Sequence, residues 1–192
     1  MQQTKTKKSL IRLCVSALFI ALATALSELI PHIEMPFGGS LTILSMLPIA
    51  MISVSFGVWW GLGTSFVYSL IQLGFGIAEG CLTWGLTGVA LVGMLLFDYI
   101  LPYTLLGLSG LFAKKGTAGI ASGVALGVFL RFVCHFISGC TFCASWSEWD
   151  NFYLWSLCYN GAYMLPEIIL TTVAAVLLFR LPQIKKLISE LA

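Results

Sequence analysis

Charged residues are scarce in this chain. It has 10 Lys and Arg and 8 Asp and Glu among 192 residues, or 9% charged, with a mean hydropathy of +0.98. About one-quarter of the residues in soluble domains are charged. This scarcity excludes a soluble domain, and a net charge of +2 gives no reason to expect a nucleic-acid partner. We find no linker, so we expect residues 1–192 to form a single membrane domain.

Catalytic and cofactor-binding motifs are also absent. The sequence contains no HExxH motif, no phosphate-binding loop and no nucleotide-binding fingerprint, so we expect neither an enzyme nor a chain that hydrolyses ATP itself. Six cysteines occur. Cys140 and Cys143 have the spacing of metal ligands and follow His135, but a second matched pair is lacking, so we expect no metal or other cofactor. A disulfide between cysteines near the outer surface is an alternative that the sequence does not decide.

Long apolar runs predict an all-α bundle of six transmembrane helices. A helix of about 20 residues crosses the hydrocarbon core, and breaks at Pro31, Gly57, Gly61, Gly116 and Pro182 separate the runs. The predicted helices cover residues 10–30, 41–56, 59–78, 86–113, 118–143 and 152–181.

The basic residues predict the orientation of this bundle. They occur in three clusters, before or within the first helix, between the fourth and fifth helices, and near the C-terminus: Lys5, Lys7, Lys8, Arg12, Lys114, Lys115, Arg180, Lys185 and Lys186. The opposite connections contain Glu34, Glu79, Glu148 and Asp150. Since cytoplasmic loops are rich in Lys and Arg, we expect both termini in the cytoplasm and a multi-pass protein of the prokaryotic plasma membrane.

A few polar residues interrupt the predicted helices. Ionisable groups within a membrane are costly and usually functional, and the chain places Asp98, Arg131 and His135 in the fourth and fifth helices. Asn160 and several aromatic residues lie near the outer ends of the last three helices, among them Tyr99, Trp146, Trp155 and Tyr159. Because a carboxylate beside aromatic faces can hold a flat organic cation, we predict an outward-facing pocket for a small, partly cationic aromatic molecule.

Structural roles are the alternatives for these polar residues. Asp98 or Glu167 could pair with Arg131, His135 could be a packing residue, and Asn160 could bond the backbone of a neighbouring helix. Trp146, Trp149 and Tyr153 could belong to an interfacial aromatic belt.

Four segments resemble a known family. They are His135-Phe-Ile-Ser-Gly139, Ser156-Leu-Cys-Tyr-Asn-Gly-Ala-Tyr-Met-Leu-Pro-Glu167, Pro36-Phe-Gly-Gly-Ser-Leu-Thr-Ile-Leu-Ser-Met-Leu-Pro48, and Phe97-Asp-Tyr99 with Gly107-Leu-Ser-Gly-Leu-Phe112. Together they resemble the thiamine-specific S components of energy-coupling factor (ECF) transporters, in the same order over most of the chain.

The resemblance implies a substrate-capturing subunit of an ABC importer. Its partners would be a transmembrane coupling subunit and two cytoplasmic ATPase subunits. Thiamine would lie between the first outer loop and helices 4 to 6. The resemblance carries over Asp98, Tyr99, His135 and Asn160 as site residues, and the aromatic cluster at the outer helix ends adds Trp146, Trp155 and Tyr159. Two small residues of helix 1, Ala17 and Ala21, would dock the coupling subunit, or else pack within the protein.

This chain departs from the family pattern at four positions. Cys143 stands where some members have Trp, Trp155 where some have Tyr, Asp98 where some have Glu, and Gly39 where some have a stacking Trp. A thiamine precursor or another heteroaromatic vitamin is therefore an alternative ligand. A stand-alone secondary carrier is the alternative function, and it would need internal repeats, which the sequence does not have.

Overall fold

The computed structural model describes residues 2–31, 33–35 and 40–191 and is almost entirely helical. Within this part of the chain, four helical stretches are long and apolar enough to cross a membrane: Thr6–Glu28, Val58–Ala78, Gly88–Thr141 and Phe152–Arg180. Large apolar side chains cover their outer faces; Trp59, for example, is 87% exposed. The lipid bilayer removes such surface from water, so the predicted all-helical membrane fold is confirmed.

The first helix is longer than predicted at its N-terminus. Helix α1 covers Gln2–Glu28, so the lysine-rich start of the chain is helical as well. Trp60 donates a hydrogen bond from its indole Nε1 to Ser16 Oγ at 2.9 Å, and Arg12 lies over the ring of Phe56 at 5.7 Å. Ala17 and Ala21 are exposed. This exposure leaves the two alanines accessible to a partner helix, as a docking face requires.

The first outer loop replaces the start of the predicted second helix. Ile33–Glu34 (β1) and Ser40–Leu41 (β2) pair antiparallel, with Ile33 opposite Leu41. Helix α2 covers only Leu47–Phe56, so the predicted start at residue 41 is wrong. The backbone of residues 40 and 41 is already used in the strand pair, and Pro48 in the first turn fixes where the helix begins. Residues 36–39, which include Gly39, lie outside the described residues.

Gly57 separates the second and third helices, as predicted. Its φ of +93° is one that residues with a side chain rarely adopt, so the chain turns there and restarts as α3 (Val58–Ala78). A short 3₁₀ turn, Cys81–Thr83, follows α3 on the way to the fourth span.

The fourth span is not the uniform helix that the sequence predicted. It begins as α4 (Gly88–Met94), widens to a π-helix over Leu95–Ile100, continues as α5 (Leu101–Leu105) and tightens to 3₁₀ geometry over Leu106–Gly110. Pro102 has no N–H to donate and lies just after the wide turns. Single π-turns often occur at functional sites, and this one carries Asp98.

The fourth and fifth spans form an antiparallel helical hairpin. After a short 3₁₀ turn at Ala113–Lys115, α6 (Gly116–Thr141) runs back along the fourth span. Its successive contacts pair Gly123 with Ser109, Arg131 with Tyr103, and His135 with Asp98. The glycine lets the two backbones approach closely. Gly88–Thr141 is thus two spans, which gives five long spans and the short α2 among the described residues, in approximate agreement with the six transmembrane helices predicted.

The last long helix returns to the end of the bundle that carries the basic residues. Helix α7 covers Phe152–Arg180 and begins with Asn151, whose side chain accepts a hydrogen bond from the N–H of Leu154 at 3.0 Å. A further helix, α8 (Pro182–Leu191), was not predicted. Lys114 and Arg180 lie at one end of the bundle, and the loops after Glu28, Ala78 and Thr141 lie at the other.

A close helix contact near the basic end should make Gly107 intolerant of a side chain. Ser53 donates its hydroxyl to the Gly107 carbonyl, and a Cβ at Gly107 would overlap the backbone of Leu62. Because overpacking costs about 1–3 kcal/mol, we expect Gly107→Ala to lower the unfolding temperature in detergent. Gly63→Ala is the matched control, since a Cβ there meets nothing within 4 Å. Equal unfolding temperatures for the two variants would contradict this packing.

Candidate functional site

A cavity of about 520 Å³ opens at the end of the bundle away from the basic residues. Pockets that bury small organic molecules are about 300–1,000 Å³. Residues from α1, α3, the fourth span, α6 and α7 line it, together with Ser40 and Thr42 of the first outer loop. The lining includes every residue that the sequence predicted for substrate binding: Asp98, Tyr99, His135, Trp146, Trp155, Tyr159 and Asn160.

Asp98 is the carboxylate of the fourth span in the wall of this cavity. Its Oδ1 lies 2.9 Å from His135 Nδ1, and its Oδ2 accepts a hydrogen bond from Ser138 Oγ at 2.6 Å. The residue keeps 23% of its side-chain surface exposed, so the carboxylate is held in place and still reaches the cavity. The alternative in which Asp98 pairs directly with Arg131 is wrong, because His135 lies between them.

Arg131 lies beneath His135, one helical turn earlier in α6. Its Nε donates to His135 Nε2 at 3.2 Å, a terminal nitrogen donates to the Tyr103 hydroxyl at 3.1 Å, and the other terminal nitrogen lies 2.8 Å from the Met46 sulfur. The guanidinium also lies over the Tyr103 ring, 4.4 Å from its centroid. Cation–π contact partly compensates a buried positive charge.

Glu167 is the second carboxylate near Arg131. It is only 2% exposed, and its Oε1 has no hydrogen-bond partner. The hydrogen-bond partners of the Arg131 side chain are His135, Tyr103 and Met46, so the predicted alternative of a direct pair between Glu167 and Arg131 is wrong. The two charges still attract each other through the intervening protein, and Glu167 accepts a backbone hydrogen bond from Thr42.

Aromatic rings form much of the remaining wall. Trp155 and Tyr159 stack with their centroids 5.0 Å apart at 24°, and Tyr159 meets Tyr163 edge-on at 6.0 Å. Across the cavity mouth, Trp146 packs edge-on against Trp84 at 5.8 Å. The flat faces beside Asp98 suit a planar, positively charged ring.

Asn160 holds α6 and α7 together at the cavity wall. Its Nδ2 donates to the Ser156 carbonyl at 3.0 Å and, more weakly, to the His135 carbonyl at 3.4 Å. Its Oδ1 accepts from the Tyr163 hydroxyl at 2.7 Å. The predicted alternative, a bond to a neighbouring helix backbone, is therefore present, and the side chain lines the cavity at the same time.

The cavity has more acidic than basic groups. Glu28, Glu79, Asp98 and Glu148 line it, against the single cation of Arg131 among the described residues. Carboxylates around a partly water-excluded cleft attract cations from solution. The site can therefore bind a flat organic cation.

Comparison with known proteins then identifies the family. The sequence profile described as Thiamine transporter protein (Thia_YuaJ) matches residues 13–187. The chain is 33% identical to the thiamine transporter ThiT of Bacillus subtilis, with 90% of this chain and 92% of the relative covered. It is 30% identical to ThiT of Lacticaseibacillus paracasei, with 92% and 91% covered. This chain belongs to the thiamine transporter family.

A solved structure has the same fold. ThiT from Listeria monocytogenes superposes with a TM-score of 0.71 at 23% identity, covering 92% of this chain and 98% of that one. The family resemblance read from the sequence is confirmed, as are the multi-pass placement in the cell membrane and the ThiT-type helical fold.

Several lining residues were not predicted as site residues. They lie in α3 and in the outer connections, and they include Gln72, Phe75, Glu79, Trp84 and Glu148. Gln72 donates from Nε2 to Ser27 Oγ at 2.9 Å and to the Tyr68 hydroxyl at 2.6 Å, which ties α3 to α1. The signal in the sequence for these residues is the excess of acidic residues in the outer connections, which also indicates the orientation of the bundle.

Proposed function

We propose that this protein is the S component of an ECF-type importer and captures thiamine from outside the cell. One observation carries the proposal: Asp98 lies in the wall of an acidic, aromatic-lined cavity in a chain of the thiamine transporter family. Thiamine offers a positively charged thiazolium ring and an aminopyrimidine. The carboxylate matches the charge and the amine, and the rings of Trp155 and Tyr159 offer flat surfaces.

Each proposed contact has a distinct physical role. Asp98 accepts hydrogen bonds from the aminopyrimidine or offsets the thiazolium charge, and His135, Tyr99, Trp146 and Trp155 enclose the rings. Asn160 bonds ring heteroatoms by donating from Nδ2, whose present bond to the His135 carbonyl is long at 3.4 Å, and its Oδ1 can accept from the ligand's amino group with a second lone pair. An amide already fixed by its neighbours loses little entropy when the ligand binds.

The ligand can be identified without adding any. The protein is purified in detergent from cells grown with thiamine, denatured, and its extract analysed by mass spectrometry. We expect thiamine in amounts near one per protein molecule, and much less from the Asp98→Asn variant prepared in parallel. If a different heteroaromatic compound is found instead, such as a thiamine precursor, the assignment as an S component stands and the assigned ligand changes.

The proposal also includes the partners of an S component: a transmembrane coupling subunit and two cytoplasmic ATPase subunits. The exposed Ala17 and Ala21 on α1 support a docking face, because small residues let two helices approach closely. We expect labelled thiamine to accumulate only in cells that also express the coupling and ATPase subunits. Accumulation without the ATPases would favour the stand-alone carrier.

A further inference from the structure

The hydrogen bond between Arg131 and His135 fixes where the imidazole carries its proton. A guanidinium has five N–H donors and no acceptor, and it stays protonated in proteins. Since the Arg131 Nε–H points at His135 Nε2 at 3.2 Å, Nε2 must present its lone pair. The ring proton is then on Nδ1, from which it is donated to Asp98 Oδ1 at 2.9 Å.

The imidazolium form does not fit this arrangement. It would place an N–H against the Arg131 N–H and bring two positive charges together. It would also form a full salt bridge with Asp98 and cancel the negative charge that faces the cavity. A neutral His135 donates one hydrogen bond to the carboxylate and leaves its charge intact.

We propose that Arg131 is a positioning residue that holds His135 in the neutral, Nδ1-protonated form and so keeps Asp98 negatively charged toward the cavity. Arg131 is itself fixed from three elements. Tyr103 of α5 accepts a hydrogen bond from it and stacks on it, Met46 before α2 contacts it, and Glu167 of α7 attracts its charge. The tautomer follows from these contacts alone, whereas its effect on the ligand rests on the proposed function.

Burial of the ring disfavours a charge on His135, and the adjacent Arg131 acts in the same direction. Asp98 on the fourth span favours the imidazolium, and the more distant carboxylates Glu28, Glu79, Glu148 and Glu167 act in the same direction. From α7 the ring meets the edge of Tyr163, with centroids 6.4 Å apart. Without Arg131 we expect His135 to become protonated in mild acid.

Nuclear magnetic resonance of the ligand-free protein tests the tautomer directly. The chain has two histidines, so His32→Gln leaves His135 as the single ¹⁵N-labelled imidazole. Between about pH 5.5 and pH 8, where histidine ordinarily titrates, we expect a neutral ring with its proton on Nδ1 throughout. A proton on Nε2, or titration within this range, would overturn the proposal. This spectrum needs no other variant and no ligand.

The pH dependence of binding tests the consequence for the site. We compare the dissociation constants for thiamine at about pH 6 and pH 8, on either side of the ordinary histidine pKa. The ratio should be near one for the wild type and about tenfold for Arg131→Met, with weaker binding in acid because His135 then neutralises Asp98. Using a ratio removes the direct effect of the lost Arg131 charge on a cationic ligand.

A double variant assigns the pH effect to His135. In Arg131→Met with His135→Gln, the side chain at position 135 has no proton to gain, so the pH ratio should return to near one. A ratio that stays at about tenfold would assign the effect to another group, and a ratio near one in Arg131→Met alone would remove the role of Arg131. Absence of thiamine binding in the wild type would contradict the proposed function, while the ligand-free spectrum still decides the tautomer.

Discussion

Asp98→Asn should bind thiamine ten- to a hundredfold more weakly than the wild type. The substitution keeps the size of the side chain and removes its charge. A hydrogen bond to a charged group contributes roughly 1.5–3 kcal/mol, which corresponds to this loss of affinity. Asp98 now accepts hydrogen bonds from His135 Nδ1 and Ser138 Oγ, and the asparagine would instead turn an N–H toward one of these two donors. Titration with thiamine, monitored by the intrinsic tryptophan fluorescence, measures the change in dissociation constant.

Trp149→Phe is the matched control for this titration. Trp149 is 37% exposed, as is Trp146, but of the two only Trp146 is among the residues that line the cavity. We therefore expect wild-type affinity for Trp149→Phe and weaker binding for Trp146→Ala. Full affinity in Asp98→Asn would show that the carboxylate does not contribute to ligand binding, and it would contradict the thiamine assignment.

Ala17→Trp and Ala21→Trp should abolish coupled thiamine uptake and leave thiamine binding intact. Both alanines are exposed and lie one helical turn apart on α1. A large side chain would hold a partner helix away from this face, since close approach needs small residues. Uptake in cells that express the coupling and ATPase subunits, and binding to the purified variants, are measured side by side.

Val89→Trp controls for adding a bulky apolar residue to the membrane surface. Val89 is 83% exposed at the start of α4, and we expect this variant to transport normally. Normal uptake by the Ala17 and Ala21 variants would show that this face does not dock the coupling subunit. Loss of thiamine binding in them would instead show that α1 shapes the cavity.

The sequence predicted the long spans because their two ends are marked chemically. The third, fifth and sixth predicted spans begin and end within two residues of the observed helices, which are Val58–Ala78, Gly116–Thr141 and Phe152–Arg180. Glycine, proline and basic clusters mark these boundaries, and a bilayer tolerates few charges between them. The N-terminal extension of α1 was missed, because hydropathy cannot detect a helix that continues into water.

The irregular parts of the backbone could not be predicted, because tertiary contacts determine them. Residues 41–46 are apolar enough to belong to a membrane helix, but Leu41 pairs with Ile33 across the first loop. The π-helix over Leu95–Ile100 has no sequence signal beyond Pro102, and it carries Asp98, which contacts His135 and Ser138 of α6. Helix periodicity gives neither the pairing nor the wide turn.

The site was predictable where its residues share a helix face. Arg131 and His135 are four residues apart, so one face of α6 presents both. The hydrogen bond between them, and the placement of His135 between Arg131 and Asp98, needed the structure. Trp84 and Glu148 reach the cavity from connections, where no periodicity indicates which way a side chain points.

Isothermal titration calorimetry of the purified wild-type protein with thiamine tests the central claim most directly. We expect a saturable heat of binding with one thiamine per chain, and a clear loss of affinity when Asp98→Asn is titrated under the same conditions. Absence of heat from ligand-free, correctly folded protein would contradict thiamine capture and would leave only the family membership and the fold.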